Sequence, residues 1–157
     1  MLNVHRSFVV VALLAVTLQA GAVHPGEPLD PKDAFRLSVK GIDRNTAQIE
    51  FRIAPGYYLY RDRFRFETDG GKVIADAVLP SGKIKVDAFF GRTETYRDRV
   101  RIRVPLSEAE RAKKRVRLKV ISQGCADAGV CYIPQEQWVE VQLDVRKLLD
   151  EAIPVGH

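Results

Sequence analysis

Cys125 and Cys131 are the only thiols in this 157-residue chain, six positions apart in the segment QGCADAGVCYIP. Two thiols at that range can close a disulfide. A disulfide can be an inert staple, or it can exchange bonds with the thiols of another protein. Other carriers of chemistry are scarce. The three histidines, His5, His24 and His157, lie near the chain ends, which removes most imidazole catalysis and most His-ligated metal sites. Two cysteines cannot build a four-thiolate zinc site. No metal, flavin or nucleotide cofactor is implied. The spacing is not Cys-x-x-Cys, and no helix N-terminus is in sight to activate a thiol. Asp127, between the cysteines, would raise a thiol pKa if it pointed inward.

The elements around the pair decide what it can do. The strand before it ends near Ser122, and apolar alternation resumes near Trp138. Gly124, Asp127 and Gly129 read as turn formers. The cysteines are therefore expected at a hairpin end, where a cross-strand Cα spacing of ~5.5 Å suits a disulfide. So short a loop gives only about 2.4 kcal/mol of chain-entropy stabilisation. On spacing alone, a structural staple in a non-catalytic exported binding module stays open beside an exchange site.

Alternation runs through most of the chain. Phe35, Leu37 and Val39 alternate with polar residues, as do Ile49, Phe51 and Ile53, then Phe64 and Phe66. The pattern returns at Val100, Ile102 and Val104, at Val116, Leu118 and Val120, and at Val139, Val141 and Leu143. Each such strand puts one face on a core and the other in water. Six or more of them predict an all-β, immunoglobulin-like antiparallel β-sandwich, with a closed barrel as the alternative. Ser107 and Glu110 fit a capping box opening a short helix through Lys113. Asp144–Ile153 has helical spacing.

Composition agrees: 46% hydrophobic and 29% charged, with a formal net charge of +5. The arginines alternate along strands and mix with acids, as on a solvated sheet face, so nucleic acid is not an expected partner. At the N-terminus, Arg6 precedes the apolar run Phe8–Leu18, and Ala20 and Ala22 follow. That layout predicts a cleaved export signal, too short to span a bilayer. An exported compartment permits disulfides. The expected organisation is a signal over 1–22, an extended leader over 23–33, the sandwich domain over 34–145 and a tail over 146–157.

QGCADAGVCY resembles the active-site segment of the N-terminal periplasmic domain of the thiol:disulfide interchange protein DsbD. GYYLYRDRF at 56–64, LPSGK at 79–83 and FFGRTETYRDRV at 89–100 extend the likeness over about residues 30–145. The resemblance implies an immunoglobulin-like thiol–disulfide exchange domain in the periplasm. It would take reducing equivalents from a membrane electron-transfer protein or a thioredoxin-like domain. It would pass them to periplasmic thioredoxin-like proteins of the disulfide isomerase and cytochrome c maturation types. Cys131 would form the mixed disulfide and Cys125 would resolve it. Asp87, Ala88, Phe89, Phe90 and Gly91 would form a cap loop, with Phe89 covering the sulfurs. Tyr58 and Tyr60 would be active-site tyrosines. The chain departs from the family pattern at Ala88 (an acid in a family member), Phe90 (in place of a tyrosine) and Ile133 (where a proline is usual). With neither membrane helices nor a thioredoxin-like domain in the sequence, a standalone protein served in trans and a fragment of a larger one are both compatible with the resemblance.

Overall fold

The structure, a computed structural model, describes residues 27–143. The expected signal, the first part of the leader and the expected tail helix lie outside those residues. Ten strands follow one another: β1 (Phe35–Asp43), β2 (Thr46–Ile53), β3 (Tyr57–Tyr60), β4 (Arg65–Thr68), β5 (Lys83–Asp87), β6 (Gly91–Tyr96), β7 (Arg99–Pro105), β8 (Arg115–Ser122), β9 (Gly124–Ala126) and β10 (Gln135–Gln142). They form three antiparallel sheets, ordered β1-β2-β7, β10-β8-β4 and β5-β6-β3-β9. The sheets are open, so the architecture is a sandwich and not a closed barrel.

One core cluster joins the first two sheets. Ile49, Phe51, Ile102 and Val104 come from one side, and Phe66, Leu118, Val120 and Val141 from the other. These are the inward positions of the alternating runs, and burial of each aliphatic or aromatic side chain contributes roughly 1.5–3 kcal/mol. Their outward neighbours carry charge. Arg52, Arg99 and Arg101 converge on Glu50 across β2 and β7, and Arg117 and Lys119 flank the Trp138 ring. This is the solvated sheet face that the alternation predicts.

The third sheet positions the cysteines, and β3 joins it to the main core. Leu59 points into the main core, while Tyr58 and Tyr60 point the opposite way into a second cluster with Cys125. Both faces of this strand are buried, so it reads YYLY instead of alternating with charge.

Two local expectations need correction. The leader is not extended throughout: Pro31–Ala34 is a helical turn, capped by Asp30, whose carboxylate accepts from the Lys32 amide at 2.9 Å. Proline fits the first helical position because its missing N–H is not needed there. Leu29 is also tied down. Its amide donates to the Tyr57 hydroxyl at 2.8 Å, and its carbonyl accepts from the Tyr132 hydroxyl at 2.6 Å. The capping box at Ser107 and Glu110 forms, but its helix spans only Glu108–Arg111.

Candidate functional site

Cys125 lies in β9 and Cys131 faces it across a tight turn. The two form a disulfide with Cα atoms 4.0 Å apart. That is closer than the expected spacing, and the backbone explains why. The Ala126 amide donates to the Val130 carbonyl at 2.8 Å, and the Tyr132 amide donates to the Gly124 carbonyl at 3.0 Å. The cysteines fall between these bonds as a non-hydrogen-bonded pair, the closer kind in antiparallel pairing. On its other edge β9 pairs with β3, placing Cys125 opposite Tyr58. Gly129 takes φ +87 in the turn.

The two sulfurs differ in access. Cys125 is fully buried, whereas Cys131 is only partly buried at the edge of the same cluster. The Tyr60 hydroxyl is 3.1 Å from Cys125 Sγ and 4.0 Å from Cys131 Sγ. Burial, with the neighbouring Tyr58 hydroxyl and Asp87, pushes the Tyr60 phenol far above its ordinary range, so it stays protonated.

Behind the tyrosines lies Asp87, the last residue of β5, 5% exposed. Its Oδ2 accepts from the Tyr58 hydroxyl at 2.7 Å and from Lys85 Nζ at 3.2 Å. Its Oδ1 accepts from the amides of Phe89 at 2.8 Å and Phe90 at 3.3 Å. Burial alone would push this carboxyl up. The bonds from Tyr58, the Phe89 amide and Lys85 outweigh it and hold Asp87 well below the usual carboxylate range. Tyr58, desolvated and bonded to Asp87, is pushed up. The carboxylate therefore fastens the 87–91 loop to the tyrosine pair.

The two loop aromatics behave differently. Phe90 packs edge-on against Tyr60 with centroids 4.8 Å apart, under the Arg63 guanidinium at 4.2 Å. Phe89 is 59% exposed. Gly91 takes φ +66 where the loop turns into β6, a conformation that glycine adopts without steric cost. Asp127 does not point at the sulfurs: it forms a two-pronged ion pair with Arg97, which holds its carboxyl below the ordinary range.

Cys125, Cys131, Tyr58, Tyr60, Asp87 and Phe90 thus converge on one end of the sandwich. Two further residues shape the site without having been singled out for it in the sequence. Gly124 is not a turn former. It lies in β9, where a Cβ would collide with the Tyr58 carbonyl oxygen and sit 2.7 Å from Phe35 Cζ. Lys85, 4.7 Å above the Tyr58 ring, reaches the site from an alternating Lys-Ile-Lys stretch that gives no sign of it.

Proteins similar to this chain in sequence and in shape are named as thiol:disulfide interchange proteins. The family described as "Thiol:disulfide interchange protein DsbD, N-terminal" matches residues 26–143. The thiol:disulfide interchange protein DsbD of Ralstonia nicotianae is 41% identical over 84% of this chain and 21% of its own length. That of Escherichia coli K12 is 38% identical over 85% of this chain and 24% of its own. The chain therefore spans about a fifth to a quarter of the curated relatives it matches. Among solved structures, the reduced N-terminal domain of Neisseria meningitidis DsbD superposes with a TM-score of 0.65 at 30% identity, covering 73% of this chain and 89% of that one. A structure of the complex between the DsbD N-terminal and PilB N-terminal domains of that organism gives 0.59 at 29% identity, covering 71% of this chain and 85% of that one.

Proposed function

Because this chain belongs to the family of DsbD N-terminal domains, we propose that its cysteine pair carries reducing equivalents between proteins by thiol–disulfide exchange in the periplasm. The observation that carries this reading is the unequal access of the two sulfurs. A thiolate from outside must approach along the S–S axis. Cys125 is fully buried, so only Cys131 Sγ offers a target.

In the charging direction, a donor thiolate attacks Cys131 Sγ. A mixed disulfide forms and Cys125 leaves as a thiolate. The protonated Tyr60 hydroxyl, 3.1 Å away, donates a hydrogen bond to that leaving sulfur. The donor's second thiol, losing its proton, then attacks the donor sulfur of the mixed disulfide and releases Cys131 as the thiolate. Two electrons have entered the pair, and both sulfurs take up protons. Discharging is the reverse: Cys131 attacks an acceptor disulfide, and Cys125 then attacks Cys131 Sγ and expels the acceptor thiolate.

The donor would be a membrane electron-transfer protein or a thioredoxin-like domain. The acceptors would be periplasmic thioredoxin-like proteins of the isomerase and cytochrome c maturation types. A cleaved signal over 1–22 would bring the domain to them. Phe89 and Phe90, held by Asp87, would form a cap that moves aside for a docked partner, a loop motion of microseconds to milliseconds.

The test is a trap. Cys125→Ser, reduced and mixed with oxidised thioredoxin-like proteins, should accumulate a mixed disulfide through Cys131, and Cys131→Ser should not. If no adduct forms with any of them, and the wild-type disulfide has a potential below about −300 mV, the pair is a structural staple.

A further inference from the structure

The turn between the cysteines carries an ion pair that the exchange steps do not use. Asp127 stands on the outside of this turn. Arg97 belongs to the two-residue link between β6 and β7, where the next residue, Asp98, takes φ 59. Arg97 Nη1 is 2.9 Å from Asp127 Oδ2 and Nη2 is 2.7 Å from Oδ1. The same guanidinium donates to the Tyr57 carbonyl at 3.4 Å and lies 5.1 Å from the Tyr58 ring centroid. The Asp127 amide donates to the Gly56 carbonyl at 2.7 Å. One cation thus ties the redox turn to the start of β3 and to the β6–β7 link.

We propose that Arg97 and Asp127 are positioning residues for exchange: their clamp holds the redox turn closed while the S–S bond is open. This rests on the exchange reading above. Once the disulfide is reduced, only non-covalent contacts keep the two sulfurs opposed. The rate at which Cys125 attacks Cys131 Sγ in a mixed disulfide depends on that opposition, which acts as an effective concentration. In that step the Cys125–Cys131 bond forms, the Cys131–partner bond breaks, and the partner leaves as a thiolate and takes up a proton. The oxidised form has its covalent tie and needs the clamp less. Loss of the clamp therefore frees the reduced form more than the oxidised one and makes disulfide formation less favourable. Side-chain exposures of 38% for Arg97 and 47% for Asp127 leave the pair open to screening by salt.

The test is the equilibrium of the full chain with reduced and oxidised glutathione, read by trapping free thiols. Asp127→Asn and Arg97→Gln should each lower the constant for disulfide formation by roughly two- to fivefold, the range of a well-formed exposed ion pair. For this two-electron couple, that makes the potential about 9–21 mV less negative. The double variant should fall no further than either single one. The swapped pair, Arg97→Asp with Asp127→Arg, should recover the part of the loss that belongs to the ion pair, while the bond to the Tyr57 carbonyl stays broken. Raised salt should shift the wild type toward the variants and leave the variants nearly unmoved. Folded variants with wild-type constants overturn the clamp and leave exchange standing. A wild-type disulfide that equilibrates neither with glutathione nor with a reduced thioredoxin-like protein overturns both.

Discussion

The Tyr60 hydroxyl lies 3.1 Å from the sulfur of the fully buried Cys125. A buried thiolate is unfavourable unless something donates to it. Tyr60 can, because burial keeps its own proton in place. The more protected sulfur is thus the one provided with a donor, as a leaving group and resolving nucleophile requires.

Tyr60→Phe removes that donor and keeps the ring. A hydrogen bond to a charged group contributes about 1.5–3 kcal/mol, so the Cys125 thiol pKa should rise by roughly one to two units. The measurement is an ultraviolet titration of the thiolate in a Cys131→Ser background. An unmoved titration would show that Tyr60 only packs against the sulfur.

Asp87 predicts an acid limit. Its folded pKa lies below its unfolded one, so its contribution to stability is complete above the unfolded value of about 3.9 and is lost as pH falls through the folded value. Asp87→Asn should remove that part of the acid slope and cost about 1–3 kcal/mol at neutral pH, since the buried Tyr58 hydroxyl, Lys85 and the Phe89 and Phe90 amides lose a charged acceptor. Urea midpoints of both proteins from neutral to acid pH check this. Parallel curves would mean that Asp87 contributes nothing through its charge.

The sandwich was legible because β2, β7 and β8 alternate strictly, and each alternation marks a face. The third sheet was not. In β5, Ile84 and Val86 are 52% and 80% exposed, so its apolar residues face water and the usual inference points the wrong way. β6 is mostly polar, and β9 is a Gly-Cys-Ala tripeptide. The cysteine pair was visible from residue type alone. Its inequality was not, because burial of Cys125 comes from Tyr58 and Tyr60, more than sixty residues away in sequence. Asp127 was visible as an acid near thiols, but its partner Arg97 is brought in by the β6–β7 link.

The cap aromatics should separate in their effects. Phe89, 59% exposed, has little packing to lose, so Phe89→Ala should leave stability within about 0.5 kcal/mol. Its loss should speed alkylation of the reduced form, as the proposed cap requires. Phe90 packs on Tyr60, and an aromatic pair of this kind contributes about 0.5–1.5 kcal/mol beyond area burial. Phe90→Ala should therefore both destabilise the domain and speed alkylation. Alkylation rates and urea midpoints for the two variants decide it: equal, wild-type rates in both would remove the cap from the account.

Gly124 is required by space. Its backbone sits against the Tyr58 carbonyl and the Phe35 ring, with room for hydrogen and none for a methyl group. Gly124→Ala must push β9 away from β3, and the shift is transmitted to Cys125, the next residue. Overpacking costs typically 1–3 kcal/mol, occasionally more, and here the obstacle is backbone, which yields less than a side chain tip. The variant should lose at least that much in urea denaturation. Its reduced form should also react faster with alkylating reagent at Cys125, because the lost contact is the one that buries the sulfur. Gly129→Ala makes the contrast. Nothing lies within 4 Å of a Cβ there, and the strain comes only from φ +87, so it should destabilise less and leave Cys125 protected. If Gly124→Ala melts and alkylates like wild type, β9 has room for a methyl group beside β3, and the buried state of Cys125 needs another cause.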